Sequence, residues 1–284
     1  MRILLTGAAG QLGRQIQAQN KDHELAVFGH GALDITSLGD VRAAVKAHAP
    51  DLILNAAAFN DVDGAQASPD AAFRGNSLGP RNLALAAAES GAAILHVSTD
   101  YVFDGKQRTP YHEYDQPAPL SNYGRSKLAG EVAVRELSAR HYIVRTSWVY
   151  EILGNNFPNT LRRLAGQQSE LRIVSDVKGS PTSAKHLAQS ILTLIGTGAY
   201  GTYHLSGAGD GASWFEIASH LFKELGLTTT LTPVTAADFP RPAPRPAYSV
   251  LRTIQQPQIL LPPWQDGIAE FAREIKSKAG DTAQ

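Results

Sequence analysis

The sequence contains no cysteine, and this absence excludes disulfide bonds, thiolate metal sites and thiol nucleophiles together. A chain without thiols suits a reducing compartment, so we expect a cytoplasmic protein. Long apolar runs are also missing: no stretch approaches the roughly 18 to 20 residues of a membrane span, and the opening RILL is too short for a secretory signal. We therefore expect neither a membrane anchor nor a membrane partner.

An excess of charge of either sign is missing as well. Twenty-six basic and twenty-six acidic side chains cancel, and no block of like charge occurs, which excludes the electrostatic footprint of a nucleic-acid binder. The nine histidines show neither H-x-x-x-H spacing nor a neighbouring acid cluster, so we expect no metal site. A small metabolite is the expected partner.

The first half of the chain alternates short apolar runs with segments of helical periodicity. The predicted strands are RILLT at 2–6, ELAVFG at 24–29, DLILN at 51–55, AAILHVS at 92–98 and YIVRTS at 142–147. The predicted helices lie near 11–20, 37–48, 70–90 and 123–138. This alternation predicts an α/β fold with a doubly wound parallel sheet, formed by a Rossmann domain at residues 1–150.

After residue 150 the alternation loosens. We predict helices at 156–166, 184–195 and 213–226 and strands at 171–175 and 202–206, which together indicate a smaller C-terminal α/β substrate-binding domain at 151–284, with some segments returning to the Rossmann sheet. Ser213 and Glu216 have capping-box spacing, and Gly226 stands at the expected helix end. The proline-rich run 239–246 is interpreted as an ordered loop rather than a partner-binding polyproline segment, and residues 276–284 are expected to fray.

A glycine loop, TGAAGQLG, follows the first strand and opens into a helix. Gly7, Gly10 and Gly13 would let the backbone approach a pyrophosphate, which would face the helix amides; a tight turn without ligand is the alternative. No carboxylate stands directly at the end of the second strand, where Arg14 or His30 can approach a 2′-phosphate. This favours NADP(H), with NAD(H) tolerated.

The segment SNYGRSK places Tyr123 one helical turn ahead of Lys127, so that both project from one face. A nearby ammonium can lower a phenol pKa by roughly one to three units, which suits a proton donor or acceptor. Ser98, Thr99 and Asp100 end the fourth strand, where ligands bind in such sheets and a hydroxyl can hold a substrate carbonyl. Taken alone, Tyr-x-x-x-Lys is more often a tyrosine packed on its helix beside an exposed lysine.

The combination of these three features resembles the short-chain dehydrogenase/reductase proteins over the N-terminal half. Further blocks sharpen the resemblance to the dTDP-4-dehydrorhamnose reductases over nearly the whole chain. They are DIT at 34–36, PDLILNAAAF at 50–59, STDYVFDG at 98–105, PYHEYDQPAPLSNYGRSKLAGE at 110–131, VRTSWVY at 144–150, NNF at 155–157, GSPT at 179–182 and RPAYS at 245–249.

The resemblance implies NAD(P)H-dependent reduction of the C4 keto group of a dTDP-4-keto-6-deoxy sugar, dTDP-4-dehydro-L-rhamnose to dTDP-L-rhamnose, for cell-surface polysaccharide or glycoside synthesis. Tyr123 would be the proton donor, Lys127 would hold the nicotinamide ribose and depress the tyrosine pKa, and Thr99 would hydrogen-bond the reacting oxygen. The implied contacts are Gly10, Gln11 and Leu12 to the pyrophosphate, Asp34 and Ile35 to the adenine, Ala58, Phe59 and Asn60 to the nicotinamide half, and Asp100 and Trp148 to the sugar.

Several positions depart from the family pattern. Asn60, Tyr248 and Arg252 stand where threonine or serine, asparagine and aspartate are usual, so we expect an altered substrate mouth. Some relatives form a magnesium-bridged dimer through glutamates, but Lys185 lies near one expected acid. We therefore expect a monomer or a weak homodimer rather than a metal-linked one.

Two other functions stay open. A related nucleotide-sugar epimerase or dehydratase would use the same Tyr/Lys pair with a retained NAD, but such a dehydratase carries an Asp-Glu pair after the threonine, where this chain has Asp100 and Tyr101. A nicotinamide-binding regulatory subunit, such as the beta subunit of methionine adenosyltransferase, has no need of Tyr123, Lys127 and Thr99. All three are present, which favours an enzyme.

Overall fold

A six-stranded parallel sheet forms the centre of the structure, a computed structural model that describes residues 1–281. The strands along the chain are β1 (Arg2–Thr6), β2 (Glu24–Phe28), β3 (Leu52–Asn55), β4 (Ala93–Thr99), β5 (His141–Thr146), β6 (Val149–Tyr150), β7 (Glu170–Val174), β8 (Lys178–Gly179), β9 (Thr182–Ser183), β10 (Gly201–His204), β11 (Ala212–Ser213) and β12 (Thr230–Val234). The central sheet has the order β2-β1-β3-β4-β5-β10, and its pairings are all parallel.

The helices lie between these strands. They are α1 (Gln11–Gln19), α2 (Leu38–His48), α3 (Val62–Ala67), α4 (Pro69–Phe73), α5 (Gly79–Ser90), α6 (Asn122–Leu137), α7 (Phe157–Ala165), α8 (Ala184–Ile195), α9 (Trp214–Leu225) and α10 (Trp264–Asp281). Over residues 1–281, no helix has both the length and the apolarity needed to cross a membrane.

The central strands bury both faces, which explains why their sequences are continuous apolar runs. On one face, Ile3 and Leu5 of β1 share a core with α1 and α8. On the other, Leu4 shares a core with α2, α5 and α6. Because β3, β4 and β5 repeat this alternation, helices cover both faces of the sheet. The predicted doubly wound parallel fold is confirmed.

The order of the strands creates a crevice. From β1 the chain moves outward to β2 on one side, then returns to β3 on the other side and continues to β4 and β5. The connections after β1 and β3 therefore leave in opposite directions, and a groove opens between them beyond the carboxyl ends of the strands. The glycine loop, the end of β4 and the start of α6 all meet there.

A separate apolar core lies in the second half of the chain. Tyr150, Leu161, Ile173, Ile217 and Phe271 belong to it, and it joins β7, α7, α9 and α10. By contrast, α8 packs on the central sheet and β10 extends that sheet. The division into domains at residue 150 stays a prediction, and these contacts support its two parts: a second core and segments that return to the first.

One difference from the sequence predictions has a local cause. The helix expected over 70–90 is interrupted by a π-helical turn at Arg74–Leu78. Pro80 lacks the N–H that would bond the carbonyl of Asn76, so a regular α-helix cannot continue through this point. The strand β12 and the helices α3 and α10 were not predicted.

The expected fraying at 276–284 is wrong as far as Asp281, because α10 continues to that residue; residues 282–284 lie outside the described part of the chain. The loop at 239–246 is confirmed. The helix expected over 213–226 is also confirmed, with its capping box at Ser213 and Glu216 and a left-handed Gly226.

One buried ion pair ties the elements beneath the crevice together. Arg145 of β5 donates from Nε and Nη2 to the two oxygens of Glu131 on α6, at 2.9 and 2.7 Å. Ser98 of β4 donates to the same carboxylate at 2.6 Å. Both ionic side chains are at most 2% exposed. Glu131 also pairs with Arg135 at 3.6 Å, but Arg145 is the buried partner of its charge.

We expect Glu131→Gln to lower the free energy of unfolding by about 3 to 5 kcal/mol, because it leaves the Arg145 guanidinium buried without a counter-charge. Urea unfolding measures the change. The exposed Glu136, on the same helix, provides the control, and Glu136→Gln should change the value by less than about 0.5 kcal/mol. Equal effects of the two substitutions would contradict the importance of the buried pair.

Candidate active site

A cavity of about 330 Å³ lies in the crevice at the carboxyl ends of the central strands. Its lining includes Gly10, Gln11, Leu12, Ala58, Asn60, Thr99, Asp100, Tyr123, Lys127 and Trp148, all of which the sequence placed in the site. It also includes Ala56, Val62, Val97, Ser98, Tyr101, Thr146, Ser147, Val149 and Trp214. Most of the predicted set is therefore brought together around one space.

The glycine loop has the geometry of a phosphate cradle. Gly7 adopts a left-handed φ of 72°, and a Cβ atom on Gly13 would lie 2.2 Å from the Gly7 carbonyl oxygen. Gly10 caps α1 without a side-chain hydrogen bond, and the first turn of α1 has no acidic residue. Free amides at a helix N-terminus without a competing carboxylate fit the pyrophosphate of a dinucleotide.

The two candidates for a 2′-phosphate contact differ in availability. Arg14 forms an ion pair with Glu151 and also donates to the backbone carbonyls of Ala9 and Leu153, so its guanidinium is already engaged. His30 is exposed and interacts with the carboxylate of Asp34. Of the two, His30 is the residue left to meet a phosphate beyond β2.

Five predicted cofactor residues lie outside the cavity lining: Gly7 and Gly13 of the glycine loop, and Asp34, Ile35 and Phe59. Asp34 accepts hydrogen bonds from the backbone and hydroxyl of Thr36 at 2.9 and 2.8 Å. Ile35 packs against the backbone of Gly79. The backbone of Phe59 is held by Asn76, whose side chain accepts from one peptide group and donates to the next at 2.8 and 3.0 Å. Their cofactor contacts stay predictions.

The tyrosine and lysine both face the cavity from α6. Ser121 caps this helix by accepting from the amide of Gly124 at 3.1 Å. The absence of a side chain at Gly124 lets the helix start approach the backbone of Tyr101, since a Cβ atom there would lie 2.2 Å from the Tyr101 carbonyl oxygen. Lys127 is 2% exposed, and its Nζ donates to the Val97 carbonyl at 2.6 Å.

The expected lowering of the tyrosine pKa is not what the structure shows. Burial raises the pKa of Tyr123, the Asp100 charge raises it further, and only a hydrogen bond with Thr99 opposes them. Burial also lowers the pKa of Lys127 to about 8, against the favourable charge of Glu131. Because burial outweighs the one opposing hydrogen bond, the Tyr123 phenol holds its proton at neutral pH and is poised as a donor.

Asp100 is the centre of a hydroxyl cluster. Its Oδ1 accepts from Thr99 at 2.9 Å, and its Oδ2 accepts from Ser147 and Ser249 at 2.9 and 2.6 Å. Burial raises the pKa of this carboxyl to about 6, although the three hydroxyl groups stabilise its charge. The cluster holds together the end of β4, the segment after β5 and a loop near the C-terminus.

Trp148 forms one wall of the cavity. Its indole stacks on Trp214 with ring centroids 3.6 Å apart and planes 10° from parallel. Its backbone has a φ of 46°, a left-handed conformation unfavourable for a residue with a side chain. The stacking and the contact of the indole with Gly179 hold this strained conformation, and Trp148 lines the cavity.

The three departures from the family pattern differ in position. Asn60 lines the cavity. Tyr248 packs on the core around Phe103 and Tyr111, and Arg252 pairs with Asp210 at 3.4 Å; neither belongs to the lining. Of the three, only Asn60 alters the cavity surface directly.

Sequence reasoning did not assign Tyr101, Ser147, Trp214 or Ser249 to the site. Tyr101 and Ser147 lie inside the STDYVFDG and RTSWVY blocks, so their neighbours gave a signal. Tyr101 meets Tyr123 edge to face with ring centroids 5.8 Å apart. Trp214 and Ser249 are distant in the chain and reach the site only through tertiary contacts.

The expected acid position near Lys185 contains an ion pair. Lys185 Nζ lies 3.4 Å from Glu270, which also contacts His186 at 3.1 Å. Among the described side chains, no group of three or more His, Asp or Glu residues is arranged to hold a metal ion.

Comparisons with known proteins find the same family over nearly the whole chain. A family model described as the RmlD substrate binding domain matches residues 1–277. The chain is 38% identical to dTDP-4-dehydrorhamnose reductase of Sinorhizobium fredii, over 94% of this chain and 95% of that one. It is 39% identical to spore coat polysaccharide biosynthesis protein SpsK of Bacillus subtilis, over 97% and 98%. The crystal structure of dTDP-4-dehydrorhamnose reductase from Bacillus anthracis in complex with NADP superposes with a TM-score of 0.94 at 39% identity, covering 96% and 99%.

We expect the buried Asp100 carboxyl to make stability depend on pH. Its pKa rises from 3.8 to about 6 on folding, so between these values the folded protein binds more protons than the unfolded chain. The free energy of unfolding therefore falls by about 3 kcal/mol as pH rises through this window. Asp100→Asn lacks this contribution. In urea unfolding at pH 4 and 6.5, which span most of this window, the stability of the variant relative to wild type should increase by about 2 kcal/mol, and a constant difference would contradict the assignment.

Proposed function

The chain belongs to the RmlD substrate binding domain family, and from this premise we propose that it reduces the C4 keto group of a dTDP-4-keto-6-deoxy sugar. The specific reaction we propose is dTDP-4-dehydro-L-rhamnose to dTDP-L-rhamnose. The observation that carries the proposal is the buried phenol of Tyr123, which shares the crevice cavity with Thr99 and Lys127 and whose pKa is raised by burial. A keto reduction needs a proton donor at this place.

The relatives support both the substrate and the cofactor. Full-length relatives 38–40% identical are named dTDP-4-dehydrorhamnose reductase, and the similar Bacillus anthracis structure was determined with NADP. We propose NADP(H) as the cofactor, with NAD(H) tolerated, because the exposed His30 follows β2 and can meet a 2′-phosphate there. Arg14 is not needed for this contact, since it pairs with Glu151.

A bound reduced nicotinamide would supply the hydride to the sugar carbon. The chain's own residues orient the reactants and move the proton. The free amides of Gln11 and Leu12 would hold the pyrophosphate at the start of α1, beside Gly10, whose own amide donates to the Gly7 carbonyl at 3.0 Å. Lys127 uses one N–H on the Val97 carbonyl, which leaves two for the hydroxyl groups of the cofactor ribose.

Tyr123 would donate its phenolic proton to the C4 oxygen as negative charge develops there. Its raised pKa keeps the proton in place before the reaction. The flat face of Trp148 would pack on the deoxy sugar, and Asn60 would supply an amide at the mouth of the cavity. We propose that the part of the chain beyond residue 150 contributes most of the nucleotide-sugar contacts, including Trp214.

The structure gives no support to a dehydratase. Such an enzyme needs a second acid or base beside Asp100, but the next residue is Tyr101. Burial raises the pKa of the Tyr101 phenol, which also interacts with Arg245. That guanidinium is itself held by Asp63 at 3.0 Å. A protonated phenol in this network is a poor base.

We further propose a cytoplasmic enzyme that acts as a monomer or weak homodimer and supplies cell-surface polysaccharide or glycoside synthesis. The relative in spore coat polysaccharide biosynthesis supports this role. The ion pair of Lys185 with Glu270 supports a subunit that does not depend on a bridging metal ion.

The substrate is tested by following NADPH and NADH absorbance with enzymatically made dTDP-4-keto-6-deoxyglucose, with and without the 3,5-epimerase. We expect oxidation only when the epimerase is present, and faster oxidation of NADPH. Oxidation without the epimerase would assign an unepimerised keto sugar instead. No oxidation in either reaction, with nicotinamide still bound, would overturn the proposed function.

The role of Tyr123 is tested with Tyr123→Phe, which removes the proton donor and keeps the ring. We expect kcat to fall by about 10² to 10⁴ with nearly unchanged cofactor affinity, the range typical of a lost general acid. Tyr114→Phe, at a side chain that is 71% exposed, is the matched control and should keep wild-type kcat. Near-normal turnover of Tyr123→Phe would rule out the phenol as the acid.

A further inference from the structure

We propose that Asp100 is a positioning residue that stores the proton used to restore Tyr123 after each reduction and passes it through the Thr99 hydroxyl. The inference rests on the proposed keto-sugar reduction and extends it. It assigns a source to the proton that Tyr123 loses, which the reduction alone leaves open.

The Thr99 hydroxyl interacts with both groups. It donates to Asp100 Oδ1 at 2.9 Å, and it also interacts with the phenol of Tyr123, which lines the same cavity. The amide of Tyr101 donates to the same hydroxyl oxygen at 3.1 Å and fixes its position. One small side chain therefore connects the proton donor to a buried carboxyl.

The surroundings of Asp100 suit a group that gains and loses a proton. The groups that face it are the hydroxyls of Thr99, Ser147 and Ser249 and the phenols of Tyr101 and Tyr123. They come from β4, the segment after β5, the loop near the C-terminus and α6. The neighbouring cations are directed elsewhere: Lys127 donates to Val97, and Arg245 pairs with Asp63.

The proton transfers balance. As hydride reaches the sugar carbon, the phenolic proton of Tyr123 goes to the sugar oxygen and leaves a phenolate. The Thr99 hydroxyl turns and gives its proton to the phenolate, and the carboxyl proton of Asp100 goes to the Thr99 oxygen. The net result is a sugar alcohol, a neutral phenol and an Asp100 carboxylate. Asp100 lines the cavity, so solvent can return its proton after the product leaves.

The charge state of Asp100 therefore sets the acidity of Tyr123. An ionised carboxylate holds the Thr99 hydrogen away from the phenol, and its charge raises the pKa of Tyr123. A neutral carboxyl frees that hydrogen to stabilise the phenolate. Hydride transfer should thus be faster when Asp100 is protonated and should slow as pH rises through its pKa, about 6 in the free protein.

A purely structural role makes a different prediction. If Asp100 only ties three segments together, its replacement lowers stability or cofactor affinity. The rate of the chemical step would then have the same pH dependence in wild type and variant. The pH profile of the chemical step separates the two roles.

The test measures the single-turnover rate of NADPH oxidation with the keto sugar from pH 5 to 8 by stopped flow. We expect the wild-type rate to fall about threefold to tenfold across this range, corresponding to up to one pKa unit of phenol acidity. Asp100→Asn keeps the size of the side chain and should abolish this fall in rate with pH. Ser249→Ala removes one hydroxyl that stabilises the carboxylate, so the step should move to higher pH.

Thr99 variants test the connection. Thr99→Val removes the hydroxyl with little change in shape and should also lose the step, whereas Thr99→Ser restores a hydroxyl and should recover it. Circular dichroism and NADP⁺ binding report on the fold of each variant. Recovery by serine cannot arise from a general loss of structure.

A readout independent of turnover is infrared spectroscopy of protein labelled with ¹³C-aspartate. The wild-type protein should show a protonated carboxyl band that titrates near pH 6, absent in Asp100→Asn and shifted upward in Ser249→Ala. A wild-type enzyme that oxidises NADPH while Asp100→Asn keeps the same pH step would overturn the relay alone. Absence of oxidation by the wild type would overturn the proposed function and the relay with it.

Discussion

The reversal of chain direction between β1 and β3 is the constraint on which the site depends. Parallel strands place their carboxyl ends at one edge of the sheet, and the reversal keeps the connecting segments from filling the space beyond that edge. The glycine loop, the Thr99 strand end and the first turn of α6 converge there because each follows or adjoins a central strand. The buried Glu131–Arg145 pair, with Ser98, fixes β4, β5 and α6 beneath the cavity. The reactive groups are thus held by buried, hydrogen-bonded elements of the fold.

Burial decides the electrostatics of this convergence. It opposes ionisation of Tyr123, Lys127 and Asp100 alike. This effect of burial suits a keto reduction, because a neutral phenol must hold its proton until the hydride arrives. The hydroxyls around Asp100 stabilise its charged form but do not cancel the effect of burial. The pKa of this carboxyl therefore rises only to about 6. A site with few free charges can use small changes in hydrogen bonding to control one proton.

Much of this arrangement could be predicted from the sequence, because it follows from local periodicity. The helical spacing of Tyr123 and Lys127 puts both in one cavity, and the capping box at Ser213 marks the start of α9. The contact of Ser249 with Asp100 could not be predicted, because 149 residues separate them in the chain. The stack of Trp214 on Trp148 has the same cause. The direction of the Tyr123 pKa shift was predicted wrongly, since it depends on burial, which the Tyr-x-x-x-Lys pattern does not report.

The central claim is that this cavity carries out hydride transfer to C4 of a dTDP-linked keto sugar. The direct test uses NADPH deuterated at both hydrogens of nicotinamide C4, together with dTDP-4-dehydro-L-rhamnose generated in place, and analyses the product by proton NMR. The account predicts dTDP-L-rhamnose that has lost its H4 signal and carries deuterium at that carbon. Sugar recovered without deuterium, or with deuterium at another carbon, would contradict it.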